Sequence, residues 1–320
     1  MANDIGILLT NIGTPDAPNV KAVKNYLKEF LSDPRVVELP RWIWWPILYG
    51  IILPIRPRNS AKLYQKIWTQ EGSPLLYRSQ QLMQHLEAEL PFDIALGMHY
   101  GNPSIKHALS LLQRKNLQKI LVLPLYPHYS ATSTGSTFDI VTKELHHWRK
   151  LPEIRFIIDY AESPSYIHSL CQSIHAVWQQ RGPEHLLFSF HGIPKRYADA
   201  GDPYPERCRK TVELVTQQLR LSSNHWSMSF QSRLGRAEWL TPYTADVLST
   251  LPKRNIKKIQ VICPGFAVDC LETLEEIAIQ GKKQFIHAGG EDFYYIPALN
   301  DQPNHITTLK NLILSHVQKW

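Results

Sequence analysis

Cysteine is scarce in this chain and never paired: Cys171, Cys208, Cys263 and Cys270 include no C-x-x-C unit. Cys263 and Cys270 have no further ligand nearby at workable spacing, which excludes a thiolate metal site and leaves reduced thiols as the expectation. No apolar run approaches a membrane span. The start, Met1-Ala2-Asn3-Asp4-Ile5, carries an acid and no basic n-region, and the apolar run after it is too short for a signal peptide. A cytoplasmic protein is expected. There is no long Lys/Arg block and no basic stripe interleaved with aromatics, which argues against a nucleic-acid partner. No G-x-G-x-x-G occurs, which counts against a dinucleotide-binding dehydrogenase.

What is present describes a soluble globular protein. At 320 residues, 43% hydrophobic and 20% charged, the chain is long enough for two domains of ordinary size. A net charge of +7 and a pI near 9.1 favour an anionic partner, such as carboxylates, phosphates or an anionic membrane surface. Short apolar runs closed by Gly or Pro recur along the chain. The first half has them at Ile5–Asn11, Ile94–Tyr100, Lys119–Leu125 and Arg155–Tyr160, and the second at His185–His191, Trp226–Gln231, Ile259–Gly265 and Phe293–Pro297. Continuous apolar runs of this length read as strands of parallel sheets buried on both faces.

Helical stripes lie between the runs: Val20, Val23, Leu27, Phe30 and Leu31; Val212, Val215 and Leu219; and a closing helix with Ile306, Leu309, Ile313 and Val317. Alternation of strand and helix predicts an α/β fold of two similar Rossmann-like lobes, each a four-stranded parallel sheet flanked by helices. The lobes are expected at residues 1–160 and 161–320, with the last helix crossing back to the first. The space between two such lobes is the expected ligand site.

Three segments carry chemistry. The run Leu186-Leu187-Phe188-Ser189-Phe190-His191 ends in a histidine before Gly192-Ile193-Pro194 turns the chain away. In an open α/β sheet, ligands sit outside the carboxyl ends of the strands, so His191 is either a catalyst or a local strand cap. In segment 40–56, Trp42, Trp44 and Trp45 stand among aliphatics, three prolines and a glycine. This suits a membrane interface or the mouth of an apolar pocket; the plainer alternative is a helical hairpin packed under the first lobe. Arg56, Arg58, Lys62 and Lys66 follow, as a carboxylate clamp or a solvated face. Third, Asp269, Glu272 and Glu276 are spaced to share one face of a helix opening after Pro264-Gly265, with Ile279 continuing the line. Acids in a first turn complement the helix dipole, which accounts for Glu275 and in part Asp269, but less well for Glu276. An acidic line beside a cleft histidine suits a divalent cation or proton relay.

The segment Leu187-Phe188-Ser189-Phe190-His191-Gly192-Ile193-Pro194, followed by Tyr204-Pro205-Glu206-Arg207-Cys208, resembles the ferrochelatase signature. So do Asn11-Ile12-Gly13-Thr14-Pro15, Gly72-Ser73-Pro74-Leu75, Tyr126 to Ser136, Phe230-Gln231-Ser232-Arg233-Leu234-Gly235 through Trp239, and Cys263 to Leu274. The resemblance spans about residues 5 to 300. It implies insertion of ferrous iron into protoporphyrin, the last step of haem synthesis, with iron as substrate and no prosthetic group. It implies His191 and Glu272 as the catalytic and metal-handling pair, with Asp269 and Glu276 on the proton or metal path. Porphyrin contacts are implied at Ile12, Arg56, Tyr64, Ser73, His99, Tyr126, Ser232 and Trp239. Segment 40–56, with Trp42, Trp44 and Trp45, is implied as a lip over the pocket mouth in peripheral contact with the membrane.

The chemistry agrees. A porphyrin needs a wide apolar cleft with cationic or hydroxyl groups at one edge, and metal insertion must remove two pyrrole protons. A neutral histidine accepts a proton or holds the metal, and carboxylates opposite stabilise the cation or carry protons away. Sequence leaves those two roles of His191 open. There are departures from the family pattern. Cys270 replaces a histidine found in some relatives, and His99 an arginine. Ala131 stands where cluster-bearing animal members have cysteine, so no iron–sulfur cluster is expected. Ile12 replaces the tyrosine of coproporphyrin-using relatives. The expectation is a monomer or weak dimer. A cobalt-inserting chelatase is the first alternative, against which the long lip argues; a two-lobed solute-binding protein is the second, against which the lack of a secretion signal argues.

Overall fold

The computed structural model describes residues 4–235, 237–318 and 320. Met1, Ala2 and Asn3 of the N-terminal reading and Arg236 of the signature lie outside them. The chain divides into two compact units, one of residues 1–126, 130–158 and 309–320 and one of residues 127–129 and 159–308.

Unit 1 runs β1 (Ile5–Thr14), α1 (Val20–Ser32), α2 (Arg41–Ile47), α3 (Leu53–Ile67), α4 (Pro74–Glu89), β2 (Asp93–Gly101), α5 (Ile105–Arg114), β3 (Lys119–Pro124), α6 (Ser136–Leu145) and β4 (Glu153–Phe156). Its four strands are parallel in the order β2-β1-β3-β4. Leu8, Ala95 and Val122 of the strands meet Ile105, Leu109 and Leu112 of α5 and Val141 of α6 in one core. Each such leucine or isoleucine taken out of water stabilises the fold by about 1.5–3 kcal/mol. β1 runs three residues beyond the apolar run. Gly13 permits this, because a Cβ there would sit 1.8 Å from the Tyr100 carbonyl oxygen. β4 is shorter than its apolar run. Its ladder with β3 stops at Phe156, and Ile158 is exposed.

Unit 2 contains α7 (Pro164–Arg181), β5 (His185–His191), α8 (Lys195–Asp199), α9 (Tyr204–Gln218), β6 (Trp226–Gln231), α10 (Thr244–Thr250), β7 (Lys258–Ile262), α11 (Lys282–His287) and β8 (Asp292–Ile296). The last helix, α12, covers Pro303–Val317. The sheet repeats the first arrangement, parallel in the order β6-β5-β7-β8. Its core joins Leu187 and Val261 to Leu248, Ile277, Phe285 and Phe293. In each sheet the chain leaves the first strand towards one edge and returns on its other side. That makes a topological switch point between β1 and β3, and another between β5 and β7.

Two helical expectations are corrected. Val20 opens α1 but is 45% exposed, so the buried stripe is Val23, Leu27 and Leu31. Segment 40–56 is not a helical hairpin. From Arg41 on it is helical throughout, as α2, a π-helical turn at Leu48–Ile52, and the start of α3. Pro40 precedes the first turn of α2, where a missing N–H costs little, and Pro54 is the second residue after the π-helical turn. Pro46 lies inside α2, and the wider turn follows it, with the Leu53 N–H donating to the Leu48 carbonyl.

Candidate active site

β5 ends on His191 at the switch point of its sheet. The ring is half-buried, and Nδ1 lies 2.7 Å from the Gly192 carbonyl oxygen. A carbonyl only accepts, so Nδ1 carries the hydrogen and the neutral ring keeps its lone pair on Nε2. The Gly192 N–H donates to the Gln231 carbonyl at 2.8 Å, fixing the turn against the end of β6. The Phe266 ring stands 6.3 Å from the imidazole, centre to centre.

From β7 the chain passes through Cys263–Cys270 into a π-helix at Glu272–Gly281. π-helical turns are uncommon and concentrate at functional sites. Glu272 and Glu276 lie on it one turn apart. The Glu276 carboxylate accepts from the Ser232 N–H at 2.7 Å and from the Ser232 hydroxyl at 2.5 Å, with Gln231 Nε2 at 3.4 Å. Gln231 Nε2 also donates to the Glu272 carbonyl at 2.8 Å. Ser232 reaches both carboxylate oxygens because its φ is +64°, a left-handed conformation costly for a residue with a Cβ. Burial raises the Glu276 pKa above the usual carboxylate value, and the neighbouring Glu272 adds to the rise. The Ser232 hydrogen bonds oppose it, as does His191 whenever its ring is protonated. The structure thus brings His191, Ser232, Glu272 and Glu276 together within unit 2. Trp239 joins them through its backbone, which bridges Pro194, while its indole N–H donates to the Leu234 carbonyl.

The expected acidic line is corrected at Asp269. Asp269 precedes the helix rather than sharing its face, and it is enclosed by donors from Tyr295, Thr273 and Asn300. Glu275 lies in the first turn of the π-helix, as expected, and is buried, where it accepts from Gln280 Nε2. Burial pushes the Cys263 and Cys270 thiols upward, so neither offers a thiolate. Among the described residues, no three His, Cys, Asp or Glu side chains converge as a metal site.

In unit 1, Ile12 and Arg56 are half-buried, and Tyr64 is buried edge-on to Tyr26 and Trp68. The Ser73 hydroxyl donates to Thr14 Oγ1 at 2.8 Å. The Tyr126 hydroxyl is shielded from solvent and has no hydrogen-bond partner among the described residues. His99 is fully enclosed. Its Nε2 is 3.0 Å from the Ser136 hydroxyl and 3.7 Å from Asp33, and its ring stacks on Tyr100. Burial lowers its pKa to about 4 against the pull of Asp33 and Asp139. The ring is thus held by protein partners on both its edge and its face. In the lip, Trp42 is 79% exposed and Trp45 36%, whereas Trp44 is buried and its indole N–H donates to the Leu31 carbonyl at 2.6 Å. Trp44 is therefore a core anchor of the lip and not part of its outer face.

The ferrochelatase family model matches residues 4–317. The chain belongs to the ferrochelatase family. It is 51% identical to the ferrochelatase of Nitrosococcus oceani, over 99% of this chain and 88% of that one. It is also 51% identical to that of Photobacterium profundum, over 99% of both. The ferrochelatase of Methylococcus capsulatus is 52% identical over 96% of this chain and 95% of its own. Among solved structures, SirB from Bacillus subtilis with Fe3+ superposes with a TM-score of 0.57 at 12% identity, covering 98% of both chains. CbiX, the terminal enzyme for biosynthesis of sirohaem in denitrifying bacteria, gives 0.53 at 13% identity, over 97% of this chain and 98% of its own. At such identities the likeness is one of fold: the two-sheet chelatase architecture.

Within this site, sequence reasoning missed Gln231, Phe266, Tyr295 and Asn300. Gln231 and Phe266 sit inside the quoted motifs, but nothing in their spacing says which side chain they touch. Tyr295 and Asn300 come from β8 and the turn after it, and only the sheet order brings them to Asp269.

Proposed function

We propose that His191 and Glu272 carry the iron-insertion chemistry, with Glu276 as the second carboxylate of the route. Family membership supplies the activity itself: this chain is a metal chelatase that inserts ferrous iron into protoporphyrin to form protohaem, with release of two protons. The observation that carries the residue assignment is the tautomer of His191. With Nδ1–H committed to the Gly192 carbonyl, Nε2 is a fixed acceptor at the end of β5. It takes a pyrrole proton as the metal enters, and it is regenerated through the carboxylates of the π-helix. Glu276, buried and triply hydrogen-bonded yet raised in pKa, is suited to receive a proton more readily than an exposed carboxylate. Glu272 lies at the start of the same helix, one turn away, where its charge offsets that of an incoming dehydrated cation.

Porphyrin contacts are proposed at Ile12, Arg56, Tyr64, Ser73, His99, Tyr126, Ser232 and Trp239. The unpartnered Tyr126 hydroxyl supports this, because a buried polar atom without a partner is costly unless a ligand group meets it. Ile12 favours protoporphyrin by keeping that contact apolar. The reading needs no iron–sulfur cluster, and all four cysteines are buried free thiols. Among the described residues no helix is long and apolar enough to cross a membrane. The lip instead supports peripheral contact from the cytoplasmic side. Trp42, Tyr49, Ile51 and Ile55 are largely exposed, and Arg41 and Lys28 lie over the Trp45 and Tyr49 rings.

The test is anaerobic incubation of the purified protein with protoporphyrin and ferrous iron, read by the haem absorption spectrum. Wild type is expected to form haem, and His191→Ala to lose about 10²–10⁴-fold in kcat while still quenching porphyrin fluorescence. Wild type that fails with both ferrous iron and zinc would overturn the activity. Turnover retained in His191→Ala would remove His191 from the chemistry.

A further inference from the structure

We infer that Asp269 and Asn300 form a lock that positions the acidic π-helix, and that Asp269 acts through this placement and not as a proton carrier. The inference rests on the assignment of Glu272 and Glu276 to iron insertion. The two side chains bind each other reciprocally. Asn300 Nδ2 donates to Asp269 Oδ2 at 2.7 Å, and the Asp269 N–H donates to Asn300 Oδ1 at 2.8 Å. The other carboxylate oxygen, Oδ1, takes the Tyr295 hydroxyl at 2.7 Å, the Thr273 hydroxyl at 2.9 Å and the Ala298 N–H at 3.4 Å. Both residues are buried, each 7% exposed. Oδ1 is saturated by three donors and Oδ2 is committed to the Asn300 amide, so a proton taken by this buried carboxylate would weaken the bonds that hold the frame, and the group is poorly placed in a relay.

The same bonds are well placed to fix the helix start. Thr273, which donates to Asp269, also accepts from the Cys270 N–H at 3.0 Å, and Glu272 lies between these two residues. Asn300 is tied independently of Asp269. Its N–H donates to the Ala267 carbonyl at 3.0 Å, and its carbonyl accepts from His305 Nδ1 at 2.6 Å. Its φ of +48° lies in the left-handed region that asparagine tolerates better than most residues. The lock therefore joins the loop after β7 to β8 through Tyr295 and to α12 through His305. The first turn of the π-helix, with Glu272, is built on it. Asp269, Asn300, Tyr295 and His305 are positioning residues.

A residue swap separates this role from proton transfer. Asn300→Asp sets two carboxylates against each other, and kcat is expected to fall about 10–100-fold with the KM for protoporphyrin unchanged, as for a reacting group displaced by a fraction of an ångström to an ångström. Asp269→Asn alone opposes two amides and should lose a similar factor. The double swap Asp269→Asn/Asn300→Asp regains every hydrogen bond with the partners reversed, and it should restore kcat to near wild type. A folded double swap that remains as slow as Asp269→Asn would overturn the lock, because a relay needs its carboxylate at 269. Asn300→Asp with unaltered kcat would overturn it as well. If Asn300→Asp does not fold, the double swap decides by itself. If neither folds, Asn300→Gly, which keeps the left-handed backbone, decides: kcat lowered at constant KM supports the lock and unchanged kcat rejects it. Wild type that makes no haem would strike the activity. Active wild type insensitive to these changes would strike only the lock.

Discussion

Gly192 shows how tightly a single position constrains the site. A Cβ there would meet the Gln231 carbonyl oxygen at 2.9 Å and Trp239 Cε3 at 3.2 Å, and the same residue's carbonyl sets the His191 tautomer. Gly192→Ala must push the ends of β5 and β6 apart and carry the imidazole with them. We expect a kcat loss of about 10–100-fold and a stability loss of about 1–3 kcal/mol, read by initial rates and by urea unfolding. A fully active Gly192→Ala enzyme would show that the strand ends can give without moving His191. At this scale the motif made His191, Glu272 and Glu276 legible as types of chemistry. What it could not express was hydrogen-bond direction. That Ser232 holds Glu276, that Asp269 is enclosed and that His99 is sealed against Asp33 and Ser136 all depend on side chains distant in sequence.

At the scale of elements, the lip divides its tryptophans by helical phase. Trp42 and Trp44 are two residues apart, so α2 turns one outward and the other in against the last turn of α1. Trp44→Ala should cost about 3–5 kcal/mol in unfolding free energy, whereas Trp42→Ala should change it by less than about 0.5 kcal/mol. Vesicle co-sedimentation should give the opposite ranking for a folded pair, with Trp42→Ala weakening association more. Equal melting temperatures for the two variants would contradict the burial of Trp44. The continuity of the helix through 41–56 was not legible, because the prolines and Gly50 argue for a break and spacing does not reveal that a π-helical turn joins α2 to α3. The π-helix at Glu272–Gly281 was hidden for a related reason. Side chains four apart align much the same in α- and π-windings, so the apolar and acidic spacing could not tell them apart.

At the scale of the whole molecule, three neutral histidines couple the fold to pH. Burial lowers His99 to about 4, His128 to about 3 and His305 to about 4, from an ordinary value of 6.5. His128 keeps Nε2–H towards Thr211, whose own hydroxyl is spent on the Ala161 carbonyl. Below about pH 6.5 the unfolded chain takes up protons that the folded chain refuses until about pH 4, so stability falls as pH drops through that window and levels off below it. The urea midpoint should decline steadily from pH 7 to pH 4.5. A flat midpoint over that range would mean that these rings protonate without unfolding. His99 lies in unit 1 and the other two in unit 2, so if the units melt separately, both transitions should shift.

The amino-acid sequence by itself determined the class of the fold, because continuous apolar runs closed by Gly or Pro are stable only as strands covered on both faces. It also determined the chemistry at hand, because a histidine ending such a strand and carboxylates after another must face the ligand end of the sheet. Tertiary structure alone decided which acids are open to that chemistry and which are tied into the frame. It turned Trp44 inward, sealed His99 and filled the Asp269 carboxylate with donors from β8, the turn after it and the π-helix. The physical reason is that burial and hydrogen-bond satisfaction are settled between residues far apart in the chain, where local periodicity carries no information.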